Sequence, residues 1–254
     1  MNIGAVAVVI PAHDEEVLLP AALDAVAVAA RHPDLAAVRV VTVLVADSCQ
    51  DRTAEVARRS GAVVVRADCR NPGRARALGV ERALRELASP AATTWIAVTD
   101  ADSVVPSDWL AHHSARAREG WQAVVGTVAL PATTAASLVA SHTLGYEATR
   151  PTDGSAWRHP HIHGANLGLT AGAYRAVGGF PPLDVGEDRA LVRALEASGH
   201  RVLRTADCPV LTSSRLRARA RGGFGDHLAA LDPVMAEGEI RSPGPSGLLV
   251  RRPG

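Results

Sequence analysis

The sequence predicts an α/β protein: a central, mostly parallel, Rossmann-like sheet wound on both faces by helices. Three observations predict it. Short apolar runs of strand length alternate with helical stretches through residues 5–103. The runs at 5–10, 38–45 and 95–98 are rich in Val, Ile, Leu and Ala, the composition of strands covered on both faces. Each then gives way to a polar cluster: His13-Asp14-Glu15-Glu16, Asp47-Ser48-Cys49-Gln50-Asp51 and Asp100-Ala101-Asp102. The carboxyl ends of parallel strands lie along one edge, where such sheets hold ligands. One acidic strand end is ordinary turn chemistry; three in succession point to a shared crevice.

Taken in order, the first strand at 5–10 stops at Pro11. Residues 17–31 carry a helical pattern whose acidic start suits the positive end of the helix dipole. A second strand covers 38–45, a helix 52–60 with Gly61 as its C-cap, and a short third strand 62–66. After a loop at 69–73, a helix spans 74–88 and ends at Ser89-Pro90, ahead of the strand at 95–98. Further on, helices are expected at 106–120 and 131–146, a strand at 123–130, a loop at 151–160 and a short strand at 167–170. Residues 171–177 form a short helix closed by Gly178-Gly179, and Gly186-Glu187-Asp188 opens a helix at 189–198. Late strands follow at 201–205 and 209–212, then a basic run at 215–223 and a helix at 224–230. Residues 231–254 are expected to form a tail, partly disordered where Pro, Gly and Arg accumulate.

Composition narrows the chemistry. A chain of 254 residues that is 47% apolar buries one large α/β core or two small ones, and with 3% aromatics that core is aliphatic. A formal charge of +1 gives no general pull toward nucleic acid or acidic membranes. All 27 basic residues are Arg, which excludes a Walker-type G-K-[ST] loop, a pyridoxal Schiff base and a lysine nucleophile. Cys49, Cys69 and Cys208 are too dispersed for a zinc knuckle or a disulfide framework. The opening M-N-I-G-A-V-A-V-V-I-P reads as a strand, not a signal peptide, and no window approaches the roughly 18 apolar residues of a membrane span. The expectation is a soluble, cytoplasmic protein with no integral membrane segment and no nucleic-acid partner.

No G-x-G-x-x-G follows the first strand and no G-x-S-x-G elbow occurs, which counts against a dinucleotide cofactor and an α/β-hydrolase. Asp100 and Asp102 can share one hard cation, because Mg²⁺ and Mn²⁺ favour carboxylates together with phosphate oxygens. Glu187-Asp188 either caps a helix or supplies a general base that takes the proton of an attacking hydroxyl. With the Asp100/Asp102 crevice in the same chain, the base is the favoured reading. His159, His161 and His163 alternate, so on a strand they share a face as metal ligands or as polar residues of an acceptor loop. The arginines at 215, 217, 219 and 221 form a solvated face or neutralise a departing diphosphate.

The ordered set of motifs resembles the family 2 glycosyltransferases. V-V-I-P-A-H-D-E-E at 8–16 looks like their opening V-I-P-A-Y-N-E-E, and V-A-D-S-C-Q-D-R-T at 45–53 resembles their second motif. N-P-G-R-A-R-A-L at 71–78 resembles their G-K/R-x-x-A-L segment, and Asp100-Ala101-Asp102 their D-x-D element. His163–Asn166, Gly178-Gly179-Phe180 and Gly186-Glu187-Asp188 are similar to their G-A-N, G-G-F and E-D series. The likeness runs over about residues 5–230.

The resemblance implies a GT-A fold over residues 1–230, with 1–104 handling the nucleotide and 105–230 the acceptor. It implies transfer of a sugar from a UDP- or GDP-sugar to the hydroxyl of a small-molecule, lipid-linked or peptide acceptor, with inversion as in most of the family. By the same analogy Pro11, Ala12 and Glu15 hold the nucleoside, with Glu15 near the ribose. Asp47 faces the base with Ser48 beside it, and Arg74 lies near the nucleotide. Asp100, Ala101 and Asp102 hold the diphosphate, the two carboxylates through Mn²⁺ or Mg²⁺. Asp188 is the implied base, with Glu187 and Asn166 lining the acceptor side. The chain departs from the pattern at His13-Asp14, where the family has Tyr and Asn, and at 210–215, which offers no late His as a third metal ligand. It also lacks the C-terminal membrane helices of polymer-forming relatives, so processive synthesis is not expected. Two other readings stay open. A catalytically silent sugar-nucleotide-binding subunit would keep the crevice without turnover, against which stand Asp100, Asp102 and Asp188. A nucleotidyltransferase would normally carry a basic, Gly-rich loop after its first strand, and residues 11–16 contain neither Gly nor a basic Arg or Lys.

Overall fold

The structure, a computed structural model, describes residues 2–217 and 223–231. Eight strands form one sheet: β1 (Ala5–Ala12), β2 (Arg39–Asp47), β3 (Val63–Ala67), β4 (Thr94–Val98), β5 (Ser103–Val104), β6 (Ala123–Ala129), β7 (Leu167–Thr170) and β8 (Val202–Thr212). The helices are α1 (Leu19–Ala30), α2 (Thr53–Arg59), α3 (Pro72–Leu87), α4 (Trp109–Arg118), α5 (Ala136–Glu147), α6 (Ala171–Ala176), α7 (Glu187–Ala197) and α8 (Phe224–Leu231). The spatial order is β3-β2-β1-β4-β7-β6-β8-β5.

The pleat of β1 explains why the sheet is covered twice. Val6, Val8, Ile10 and Ala12 point into one apolar layer with Leu19, Leu23 and Val26 of α1, and with Trp109 and Leu110 of α4. Ala5, Ala7 and Val9 point into the other, against Ala75, Val80 and Ala83 of α3 and Leu191, Val192 and Leu195 of α7. Small residues let α3 lie flat on the strands. A Cβ on Gly79 would stand 2.5 Å from Val9 Cγ1, so any side chain there would lift the helix off β1.

The α/β expectation is met, with three refinements. The sheet is mixed: β1, β2, β3 and β4 are mutually parallel, but β7 runs antiparallel between β4 and β6, and β5 antiparallel to β8. The chain leaves β6 at the carboxyl edge and, after residues 130–166, re-enters the sheet at that same edge, so the four-residue strand β7 runs back against both β4 and β6. The two late strands are one, β8, whose register against β6 slips between the pairs Gly126↔Thr205 and Val128↔Val210. Pro209 falls in that irregular stretch, where its missing N–H breaks no ladder bond. Finally, β1 continues past its expected end through Pro11 to Ala12. Val9 accepts from Thr99 N–H on the β4 side, and Pro11, two residues on, faces that same side beyond the last paired residue of β4. The proline therefore needs no N–H there.

Among the described residues no helix is long and apolar enough to cross a membrane. Arg219, Arg221 and residues 232–254 of the expected tail lie outside the described residues.

Candidate active site

The carboxyl ends of β1, β2 and β4 open into a cavity of about 1160 Å³. Pro11, Ala12, Glu15, Asp47, Ser48, Asp100, Ala101 and Asp102 line one side. The facing wall is formed by 160–165 and 184–189, which include Glu187 and Asp188. The structure therefore brings the three acidic strand ends and the acidic start of α7 to one space.

The floor is fixed by backbone bonds. Asp47, the last residue of β2, is buried and accepts N–H bonds from Cys69 (2.6 Å), Arg70 (3.1 Å) and Asn71 (3.1 Å). It thus holds the loop between β3 and α3. Asn71 then caps α3 by accepting from Arg74 N–H at 2.8 Å, and its amide donates to Asp184 at 2.7 Å. Ser48, at a left-handed φ of +54°, donates to Asp68 at 2.6 Å. A neighbouring stitch joins the loops after β1 and β2: Asp14 accepts from Gln50 N–H at 2.7 Å, and Asp51 from Glu16 N–H at 3.0 Å. Asp14, Cys49 and Asp51 lie close enough to share an ion, but these hydrogen bonds already account for the two carboxylates as loop ties.

Two arginines organise the carboxylates above this floor. Arg76 is buried in α3; its Nη2 donates to Asp100 at 2.6 Å and its Nη1 to Glu187. Burial works against the Arg76 charge, but Asp100, Glu187 and Asp188 outweigh it and raise its pKa. Glu187 is pushed up by its own burial, against the pull of Arg76. A Cβ on Gly164 would stand 2.4 Å from Arg76 Nη2, so only glycine lets the 163–165 loop close over the guanidinium. The second arginine, Arg215, donates from Nη2 to Asp102 at 2.7 Å and to Glu15. The pairing of β5 with β8 brings these residues together: Ser103 lies opposite Thr212 and donates to its hydroxyl at 2.9 Å, so Asp102 and 213–215 are adjacent. Asp102 is pushed up to about 6, first by burial and then by Asp100, with Arg215 opposing and Glu15 adding.

Four carboxylates (Glu15, Asp100, Asp102, Glu187) thus face two guanidinium groups. The hard oxygen donors of Asp100 and Asp102, side by side in this cluster, fit a divalent cation. Asp188 lies in the first turn of α7, after Gly186 at φ +77°, and accepts from Arg189 N–H at 2.7 Å.

The wall formed by 160–165 is different. His163 Nε2 lies 2.6 Å from the Tyr146 hydroxyl, and the His161 ring stacks 4.0 Å from that of Tyr146. Phe224 meets His163 edge-on at 5.4 Å. Burial, reinforced by neighbouring imidazoles, pushes His161 down to about 4 and His163 down to about 3, so both are neutral near pH 7. His159 is buried, with its ring nitrogens 3.1 Å from the carbonyls of His161 and Thr205. The three histidines form a stacked ladder and, among the described residues, no group of metal-ligand spacing.

Two expected site residues are placed elsewhere. Arg74 is exposed and outside the cavity lining, which Arg76 enters instead. Two residues along a helix is a rotation of about 200°, so only one arginine of G-R-A-R can face the site. Asn166 is buried behind the wall with its amide fully engaged: it accepts from Trp109 Nε1 at 2.9 Å and donates to the Thr127 and Cys208 carbonyls at 2.9 and 2.8 Å. It joins α4, β6 and β8 and does not line the cavity. Sequence pattern alone does not single out Arg76 or Phe224; for Arg76 the signal is the second arginine of the same motif. Arg215 reads in the sequence only as part of a basic run, and Arg217 of that run is exposed.

A profile described as "Glycosyltransferase like family 2" matches residues 4–220. No curated protein matches the sequence. Solved structures share the fold. The S. aureus TarS fragment 1–349 is 14% identical with a TM-score of 0.60, over 84% of this chain and 61% of that one. A mannosyltransferase, PcManGT from Pyrobaculum calidifontis, in complex with GDP-Man and Mn²⁺, is 22% identical with a TM-score of 0.61, over 96% and 66%. Glucosyl-3-phosphoglycerate synthase from Mycobacterium tuberculosis, in complex with Mn²⁺, UDP-glucose and phosphoglyceric acid, is 18% identical with a TM-score of 0.52, over 91% and 77%. The chain spans less than two thirds of the length of the first two.

Proposed function

The chain belongs to glycosyltransferase-like family 2, and from that premise we propose that it transfers a sugar from a UDP- or GDP-sugar to an acceptor hydroxyl, with inversion. The observation that carries this reading is the Asp100–Arg76–Glu187 bridge. It fastens the end of β4, where a diphosphate would sit, to the start of α7, where Asp188 stands. A base and a leaving-group site tied through one buried guanidinium keep a fixed separation, as displacement between two substrates requires.

Residues 1–104 supply most of the donor side. Pro11 and Ala12 form the nucleoside wall with Glu15, and Asp47 with Ser48 fixes the floor under the base. Asp100 and Asp102 would hold Mn²⁺ or Mg²⁺. Bound there, the ion would neutralise charge on the departing diphosphate. From residues 105–230, Asp188 takes the proton of the attacking hydroxyl, and Glu187 orients that corner through Arg76. The acceptor meets a wall of neutral imidazole and aromatic rings, which suits the apolar face of a sugar or another uncharged surface.

Calorimetric titration of UDP and GDP into the full chain, with and without Mn²⁺, tests the donor side. Micromolar binding of one nucleotide, tightened by the metal and no longer tightened in Asp102→Ala, is the expected result. Absence of binding by either nucleotide in both conditions would overturn the proposal.

A further inference from the structure

Arg215 has a role that neither the D-x-D pair nor the base accounts for. It reaches in from beyond β8 with its side chain 29% exposed, and one nitrogen holds both Glu15 and Asp102 Oδ2. The other oxygen of Asp102 has a contact of 3.4 Å from Ser103 Oγ, too long to hold it firmly. A divalent cation at Asp102 and the Arg215 guanidinium would therefore draw on the same carboxylate and repel each other across it. Residues 210–215 bring no His to the site as a further metal ligand; the cationic side chain they bring is this one. A nucleoside diphosphate changes the balance, because its oxygens offer the guanidinium a forked anionic partner.

We propose, resting on the metal-assisted donor reading above, that Arg215 is a resident counter-ion that competes with the divalent cation for Asp102. It holds Asp102 and Glu15 while no donor is bound, and it shifts onto the donor diphosphate when the cation takes its place. Metal and nucleotide then bind with positive coupling, each releasing the contact that opposes the other. The role is one of positioning: Arg215 sets the order in which charge enters the site.

The experiment is titration of Mn²⁺ into the full chain, reading free Mn²⁺ by electron paramagnetic resonance, without nucleotide and with saturating UDP or GDP, whichever binds. In the wild type, Mn²⁺ alone binds weakly and nucleotide tightens it. In Arg215→Gln, Mn²⁺ alone binds at least about tenfold more tightly, the scale of one charge-assisted hydrogen bond removed from Asp102. The tightening by nucleotide shrinks correspondingly. Arg215→Lys, which keeps the charge but loses the fork, shifts Mn²⁺ affinity in the same direction by less and gives the same test should the Gln variant fail to fold. Mn²⁺ affinity without nucleotide that is unchanged or weaker in both variants, with metal still bound beside nucleotide, would overturn the counter-ion role and leave the metal reading standing. Nucleotide binding with no Mn²⁺ uptake by any protein would overturn both.

Discussion

The two walls of the cavity are built by opposite means. On the proposed donor side, carboxylates at strand ends are held by two guanidinium groups and by backbone N–H bonds to Asp47. On the proposed acceptor side, His161, His163 and Phe224 line the cavity with Tyr146 packed behind them, and burial keeps the two imidazoles uncharged. Fixed charge suits a ligand part that is always charged, a diphosphate with its metal. A neutral wall recognises shape. In the proposed transfer the cavity would separate leaving-group charge on one side from acceptor contact on the other, with Arg76 joining the two walls.

The largest expected effect removes that joint. Arg76→Ala strands Asp100 and Glu187 and is expected to lower the unfolding free energy by about 3–5 kcal/mol, the range for breaking a buried ion pair from one side. Urea denaturation reads this directly, and a loss under about 1 kcal/mol would mean the two walls are held together by something else. Next, Asp188→Asn is expected to keep nucleotide affinity while slowing sugar release from the donor about a hundredfold, as loss of a general base does. Release near the wild-type rate would leave Asp188 as a helix cap alone.

The pH dependence of stability distinguishes the walls by sign. His161 and His163 sit at about 4 and about 3 in the folded chain, below the ordinary 6.5, so the unfolded chain binds more protons as pH falls. Their contribution is complete above about pH 6.5 and is lost as pH drops toward 4 and 3. Asp102 runs the other way: raised from 3.8 to about 6, it favours the metal-free folded state as pH falls from 6 toward 4. Unfolding curves from pH 7 to pH 4 should therefore flatten in a His161→Gln, His163→Gln double variant and steepen in Asp102→Asn. Slopes that move together would erase the contrast. Smallest of all, Arg74→Ala is expected to change stability by no more than about 0.5 kcal/mol and to leave nucleotide affinity unaltered. A clear loss of nucleotide binding would return Arg74 to the site.

Much of the donor wall was legible because strand periodicity and strand-end composition are local properties. Once 5–10, 38–45 and 95–98 are parallel strands, their following residues must share an edge. The placement of Asp100, Asp102, Glu15 and Asp47 follows from that alone. Arg74 and Arg76 show the limit: both lie in one motif, and which one faces the cavity depends on the rotational phase of α3 as fixed by its Asn71 cap. Asn166 shows another, since an amide in a loop can face a ligand or bind three partners behind it with the same neighbours in sequence. The histidine ladder was visible as alternation, but its neutrality comes from burial and from the imidazoles of His142 and His227, distant in sequence.

By itself the sequence determined the α/β layering, the edge at which the acidic clusters gather and the family to which the chain belongs, because each rests on short-range pattern. The tertiary structure decided which charges meet. Arg76 reaches Glu187 across 111 positions and Arg215 reaches Glu15 across 200, and pairings at that separation depend on the sheet order and on the reversed strand β7. A buried charge takes its meaning from its partner, and only the folded chain supplies one.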